Sequence, residues 1–276
     1  GTGTSTFPEL LDWKEVQSIC DTYGADALIV LSTFDSDSRT FEGKKVVTYS
    51  IGNFGILRCL EQIRNDACYH DVNITVIANG GGFSYGSLGM SHHTTEDLAI
   101  LRALPNMSVI APCTTNEAGD AIKALINNKG TGYLRLDKMG AKDCITEDPF
   151  IIGKSRKYKE GKDITLIATG SILSEANTAS LELKKLGIEA RVIGMHSIKP
   201  IDIDEIIDTV SNTGGIVTIE EHNKDGGLGS AISEVCMEHS LYPEFFLSLG
   251  LKDTFSQVVG DQQYLRNYYL LLIMNC

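Results

Sequence analysis

Asn73-Ile74-Thr75-Val76-Ile77-Ala78-Asn79-Gly80-Gly81-Gly82-Phe83-Ser84-Tyr85-Gly86-Ser87-Leu88-Gly89-Met90-Ser91-His92-His93 is an apolar run that empties into a glycine-rich loop. Ile74 to Ala78 shows no polar alternation, the pattern of a short strand buried on both faces as in a parallel sheet. The loop places five glycines between Gly80 and Gly89. Backbone without a Cβ can take φ > 0 or lie close against a ligand. The segment matches neither G-x-x-x-x-G-K-[ST] nor G-x-G-x-x-G with its acidic partner, so it does not read as a self-sufficient nucleotide site. A plain flexible loop fits the glycines equally well.

The same alternation of β-rich runs and helical patterns extends on both sides. Val46-Val47-Thr48-Tyr49 reads as a strand, Phe54 to Asp66 as an amphipathic helix, and Thr94 or Thr95 as the cap of a helix through Leu104. Ser108-Val109-Ile110-Ala111 and Gly132-Tyr133-Leu134-Arg135-Leu136 read as further strands around a helix from Thr115 to Asn127. From Lys138 to Lys162 the pattern loosens into charged and turn-forming residues that suit an interdomain linker. A second α/β unit follows, with strands at Ile164 to Ala168, Ala190 to Ile193 and Gly215 to Ile219 and helices at Ser174 to Leu186 and Asp204 to Val210. Right-handed crossovers predict that its sheet is parallel. Upstream, Asp12 to Cys20 reads as a helix and Ala27 to Leu31 as a strand, without recognisable chemistry.

Composition narrows the function. The 276 residues are 42% apolar and carry a formal charge of −12, which favours metabolic chemistry over nucleic-acid binding; the Lys154, Arg156, Lys157, Lys159, Lys162 group is the densest basic cluster. Seven cysteines, odd in number and never in a C-x-x-C pair, suggest neither a disulfide framework nor a zinc ribbon and fit a cytoplasmic setting. Leu270 to Met274 is too short an apolar tail to span a bilayer, and no charged n-region with an apolar core opens the sequence, so no membrane association is expected.

Several side chains could carry chemistry. His92 and His93 precede a helix start, where free N–H groups favour anions, and imidazole suits proton transfer near neutral pH. Adjacent side chains point apart, so one of the two is expected to enter a pocket, with capping or packing as the alternative role. Arg58 could meet a ligand or form a surface ion pair. Lys138 follows the strand ending at Leu136, near the strand C-termini where α/β crevices form. Glu220-Glu221-His222, ahead of Gly226-Gly227-Leu228-Gly229, could be acid/base machinery, but a structural turn is the favoured reading.

From about Gly43 to Leu265, these segments resemble the C-terminal half of transketolases, especially the split type in which two chains divide the enzyme. Tyr49-Ser50-Ile51-Gly52-Asn53-Phe54, Arg58 to Asp66, Gly80 to Asp97 and Leu101-Arg102-Ala103-Leu104-Pro105-Asn106-Met107 fall in that family's order. The resemblance implies two parallel-sheet α/β domains: a pyrimidine-binding domain over 43–145 and a transketolase C-terminal domain over 155–276, after an unmatched segment, 1–42. It places Phe54 beside the aminopyrimidine of thiamine diphosphate, with Arg58, Leu57 and Leu60 in the cofactor wall; Leu57 and Leu60 stand where relatives often carry aromatics. It makes His92 the catalytic, substrate-side histidine, with His93 and Lys138 also on the substrate side. Leu88 replaces an acidic residue seen in many full-length members.

No Gly-Asp-Gly motif with a downstream Asn is present. The diphosphate and its Mg2+ or Ca2+ are therefore expected on a partner, an N-terminal thiamine-diphosphate-binding subunit, within a homo- and hetero-oligomer. The family's activating glutamate, in a G-[IV]-x-E-Q segment, should precede Gly43; residues 1–42 contain no such segment, although Glu9, Glu15 and Glu42 lie there. The expected activity is transfer of a two-carbon ketol unit between sugars, with sugar phosphates as the favoured substrates. Alternatives are an assembly or regulatory subunit without that chemistry, or a 2-oxo-acid dehydrogenase β-like chain.

Overall fold

A computed structural model describes residues 27–30 by their backbone, then 45–142 and 144–269. The predicted helix at Asp12 to Cys20 lies outside them. Two sheets form. The first has the order β1-β2-β3-β5-β4-β9, built from β1 (Ala27–Val30), β2 (Val46–Ile51), β3 (Ile74–Asn79), β4 (Met107–Ile110), β5 (Thr131–Leu136) and β9 (Ser197–Lys199). The second has the order β11-β10-β7-β8-β6, from β6 (Arg156–Lys159), β7 (Ile164–Thr169), β8 (Ala190–Gly194), β10 (Gly215–Asn223) and β11 (Phe245–Leu251). All pairings are parallel except β4 with β9 and β6 with β8.

The central strands are the apolar runs. Every residue of β3 and β5 is buried, and so are all but the first of β7, because helices cover both faces. The helices are α1 (Gly52–Leu57), α2 (Asp97–Arg102), α3 (Thr115–Asn127), α4 (Leu173–Lys185), α5 (Ile203–Asn212), α6 (Leu228–Glu238) and α7 (Gln262–Tyr268). The N-terminus of α3 is held by the Thr114 hydroxyl, which accepts from Glu117 N at 3.2 Å. One apolar cluster runs from Ile56, Ile63 and Leu98 of the first unit to Ile206, Leu228 and Ile232 of the second, so the two units share a core. Among the described residues, no helix is long and apolar enough to cross a membrane.

Four sequence expectations change. The helix predicted from Phe54 to Asp66 breaks after Leu57, resumes as one turn at Leu60–Gln62 and ends as a π-helical stretch, Ile63–Cys68. In that stretch the ladder slips to i→i−5, with Tyr69 N bonded to Arg64 O at 3.0 Å. Neither Thr94 nor Thr95 caps α2: Thr94 bridges Gly82, and the Thr95 hydroxyl donates to the Glu96 carboxylate. The stretch expected as linker contains β6, an antiparallel edge strand of the second sheet. The second unit also sends β9 back to the edge of the first sheet beside β4.

Candidate functional site

The carboxyl end of the first sheet builds a cleft. Chain leaving β2 turns directly into α1 at Gly52, where a Cβ would stand 2.4 Å from Thr94 Oγ1, and this close turn projects Asn53, Phe54, Leu57 and Arg58 outward. Chain leaving β3 is pinned rather than loose. Gly80 N and Gly81 N both donate to Leu136 O, at 2.7 and 2.9 Å, and Gly82 exchanges two backbone bonds with Thr94, at 2.8 and 2.9 Å. Gly82 sits at φ +57°, a left-handed conformation that a residue with a Cβ reaches only with strain. The glycines thus fix the loop, and the flexible-loop reading falls.

The cleft has a volume of ≈ 330 Å³ and is lined by Phe54, Leu57, Arg58, Phe83, Met90, His93 and Glu96, with Phe255 and Ser256 reaching in from the second unit. Arg58 Cζ lies 4.6 Å over the Phe54 ring, and the His92 ring meets the same phenyl edge-on at 5.0 Å. His93 is buried, its Nε2 3.1 Å from Gly86 O. A carbonyl can only accept, so Nε2 carries the hydrogen. A neutral ring so held has its lone pair on Nδ1, which has no hydrogen-bond partner among the described residues. The Asn53 amide donates to the His93 carbonyl and ties α1 to this loop. The Glu96 carboxylate accepts from Thr95 Oγ1 at 2.8 Å and from Asn223 Nδ2 at 3.4 Å through Oε1 alone.

Behind the loop lies a polar junction of different character. Arg135 is 4% exposed; Nη1 lies 3.4 Å from Asp97 and Nε 3.7 Å from Asp137, and Nη2 donates to Glu221 O at 2.9 Å. The Tyr133 hydroxyl donates to Asp97 at 2.6 Å, and Ser171 N donates to Asp137 at 2.6 Å. Glu221 accepts from Phe83 N, Gln262 Nε2 and Arg266 Nε, so it locks the glycine loop to α7. Glu220 accepts from Leu228 N at 2.6 Å and Gly229 N at 2.9 Å and caps α6. Burial pushes its carboxyl up to about 7 against those two bonds, and burial pulls His222 down to about 4. The Glu220-Glu221-His222 segment therefore does structural work: it is buried and committed to the backbone and to neighbouring side chains.

Of the site residues expected from sequence, the structure brings Phe54, Leu57, Arg58 and His93 together in the cleft wall and sets His92 on its edge. Leu60 packs against the shared core instead. Lys138 follows β5, with its backbone N bonded to Ser84 Oγ at 3.1 Å and its ammonium 5.4 Å from the Tyr85 ring, and it does not line the cleft. Sequence reasoning missed Asn53, Met90, Thr95, Glu96 and Phe255 as lining residues. Asn53 and Thr95 adjoin residues that were singled out; Phe255 comes from the other unit and left no local signal. Among the described residues, no group of three or more His, Cys, Asp or Glu could hold a metal ion.

The model of the transketolase pyrimidine-binding domain matches residues 40–142, and that of the transketolase C-terminal domain matches 153–271. A domain model of unknown function matches 1–75. One subunit of the apulose-4-phosphate transketolase of Phocaeicola vulgatus is 36% identical over 71% of this chain, which spans 64% of that relative's length. A putative transketolase C-terminal section of Methanocaldococcus jannaschii is 37% identical over 82% of this chain and 71% of its own. A solved structure described as a split gene transketolase, inactive beta4 tetramer, superposes with a TM-score of 0.79 at 30% identity, covering 93% of this chain and 92% of the other. The chain belongs to the transketolase family and carries the pyrimidine-binding and C-terminal domains of those enzymes.

Proposed function

We propose that this chain is the C-terminal subunit of a split transketolase, which transfers a two-carbon ketol unit between sugars, sugar phosphates foremost, once joined to an N-terminal subunit. The observation that carries the reading is the cleft at Phe54: an aromatic and aliphatic wall, an uncommitted imidazole nitrogen on His93 and a carboxylate at one end. That set fits the flat aminopyrimidine of thiamine diphosphate, whose ring stacks on apolar side chains and whose nitrogens need polar partners. The cofactor supplies, when bound, the nucleophilic carbon that attacks a ketose carbonyl. This chain's part is to hold the pyrimidine against Phe54 and Leu57 and to exclude water with Met90 and Phe255. His92 stands at the rim to handle a substrate proton. Diphosphate and metal fall to the partner, because the sequence contains no Gly-Asp-Gly motif.

The test is ketol transfer from a ketose phosphate to an aldose by the reconstituted pair. A rate that is the same with this chain omitted would sink the reading. A second reading, a non-catalytic assembly subunit, is favoured by one observation: residues 1–42 lack the family's activating glutamate segment. It predicts a pair that assembles and binds the cofactor without transferring ketol.

A further inference from the structure

Glu96 and Asp97 are neighbours in sequence with opposite surroundings. Asp97 is paired with Arg135 and Tyr133 in the buried junction. Glu96 is the one carboxylate in the wall of the Phe54 cleft, and among the described residues it has no cation within ion-pairing distance. Even Arg58, which lines the same cleft, is over the Phe54 ring instead. Oε1 is taken by Thr95 and Asn223, while Oε2 has no hydrogen bond among the described residues. Glu96 is half-buried, so a flat ligand seated on Phe54 would strip water from that oxygen, which then needs a donor on the ligand.

We infer that Glu96 is the cofactor-facing carboxylate of this chain: Oε2 meets a protonated ring nitrogen of the aminopyrimidine and takes the activating role that the absent glutamate segment leaves open. The inference rests on the thiamine diphosphate reading of the cleft. Its physical basis is a fixed acceptor in a largely apolar cleft, where a charge-assisted hydrogen bond to a heteroaromatic N–H is short and strong. Thr95 comes from the same loop and Asn223 from β10, so Oε1 anchors the carboxylate to both units in the cleft wall, and Oε2 is left for another donor. The proton passes between ring nitrogen and carboxylate with no other reactant.

The experiment uses the full chain reconstituted with its N-terminal subunit and reads two quantities by NMR and titration: thiamine diphosphate affinity and the rate at which the cofactor's thiazolium C2 proton exchanges with deuterium. Glu96→Gln keeps an oxygen for Thr95 and Asn223 and replaces only the free one, so the fold is retained. Exchange on the order of 10²-fold slower in E96Q, with cofactor still bound, is the expected result. Exchange at the wild-type rate in E96Q overturns the inference and leaves the functional reading standing. A wild-type pair that binds no thiamine diphosphate overturns the functional reading itself. Glu61→Gln, on the surface away from the cleft, should leave both quantities unchanged.

Discussion

Arg135 and Arg58 both stand at the carboxyl end of the first sheet, and they are used in opposite ways. Arg135 is buried and surrounded by Asp97, Asp137 and the Glu221 carbonyl, with every partner committed in turn to a strand, a helix or a loop. Arg58 is exposed, and its guanidinium lies over the Phe54 ring. The same contrast separates Asp97, which faces the Arg135 cation, from Glu96, which faces no cation among the described residues. One side of the glycine loop spends its charges on joining two units. The other sets Arg58 and Glu96 in the cleft wall with no ion pair among the described residues. Charges paired with one another mark architecture, and a charge without a counter-ion beside a cavity marks a place where a ligand completes the pairing.

The sharpest way to break that comparison is Arg135→Met. Removing the guanidinium strands Asp97 and Asp137 in a dry interior, and an uncompensated buried pair typically costs about 3–5 kcal/mol. Urea unfolding should show a loss of that size, with both units melting together because they share a core. A loss under about 1 kcal/mol would mean that the junction is wet and that its charges are not architectural.

Acid and base behaviour of the junction gives the next effect. Glu220 has its folded value raised from 4.5 to about 7. Between those pH values the folded protein holds a proton that the unfolded chain has released, so this group's contribution falls as pH rises through the window. His222 is depressed from 6.5 to about 4; there the unfolded chain holds the extra proton, and stability rises with pH over that window. The two slopes oppose each other in wild type. Glu220→Gln removes one of them, so the stability of the variant relative to wild type should climb by about 3 kcal/mol from pH 4.5 to 7. Unfolding midpoints at three pH values check this, and a flat difference would show that Glu220 is solvated.

Gly82→Ala tests the hinge between the two regions. The new Cβ would stand 2.4 Å from Glu221 Oε1 on a backbone at φ +57°, so strain and a displaced carboxylate together should cost about 1–3 kcal/mol. Cofactor affinity should fall as well, since His93 and Glu96 hang on the strand-like bridge that Gly82 makes with Thr94.

How much of this was legible follows the range of the interactions. The parallel strands β3, β5, β7 and β8 were readable because burial on both faces writes a continuous apolar run. The histidine pair stood out by residue type, and Phe54 only through the resemblance to transketolases. The break after Leu57 was not readable: the apolar spacing continues through Leu60 and Ile63, and only the tertiary packing of Cys59 and Ile63 shows where the helix gives way. Nor was β9, whose three residues join a strand some ninety positions upstream, since short edge strands are set by their neighbours rather than by their own pattern. Asp97 meets Arg135, and Glu221 meets Phe83, across long and unequal gaps, so the junction left no periodicity to detect. For Lys138, position at a strand end fixed where the backbone goes but not the side chain, which lies by Tyr85 outside the lining of the Phe54 cleft.

The smallest effect closes the comparison on the side of the cleft. Arg58→Met is the same chemical change as Arg135→Met, made where the guanidinium has an aromatic face and water instead of buried carboxylates. An exposed cation–π contact is worth about 0.5–1 kcal/mol, so the unfolding midpoint should move little. What should change is ligand behaviour: Phe54 loses the cation over its ring, and titration of the reconstituted pair with thiamine diphosphate should weaken by about two- to fivefold, the affinity equivalent of that contact. Were Arg58→Met to destabilise the fold as much as Arg135→Met, Arg58 would belong to the architecture, and the cleft would lose its claim to be the region held open for a ligand.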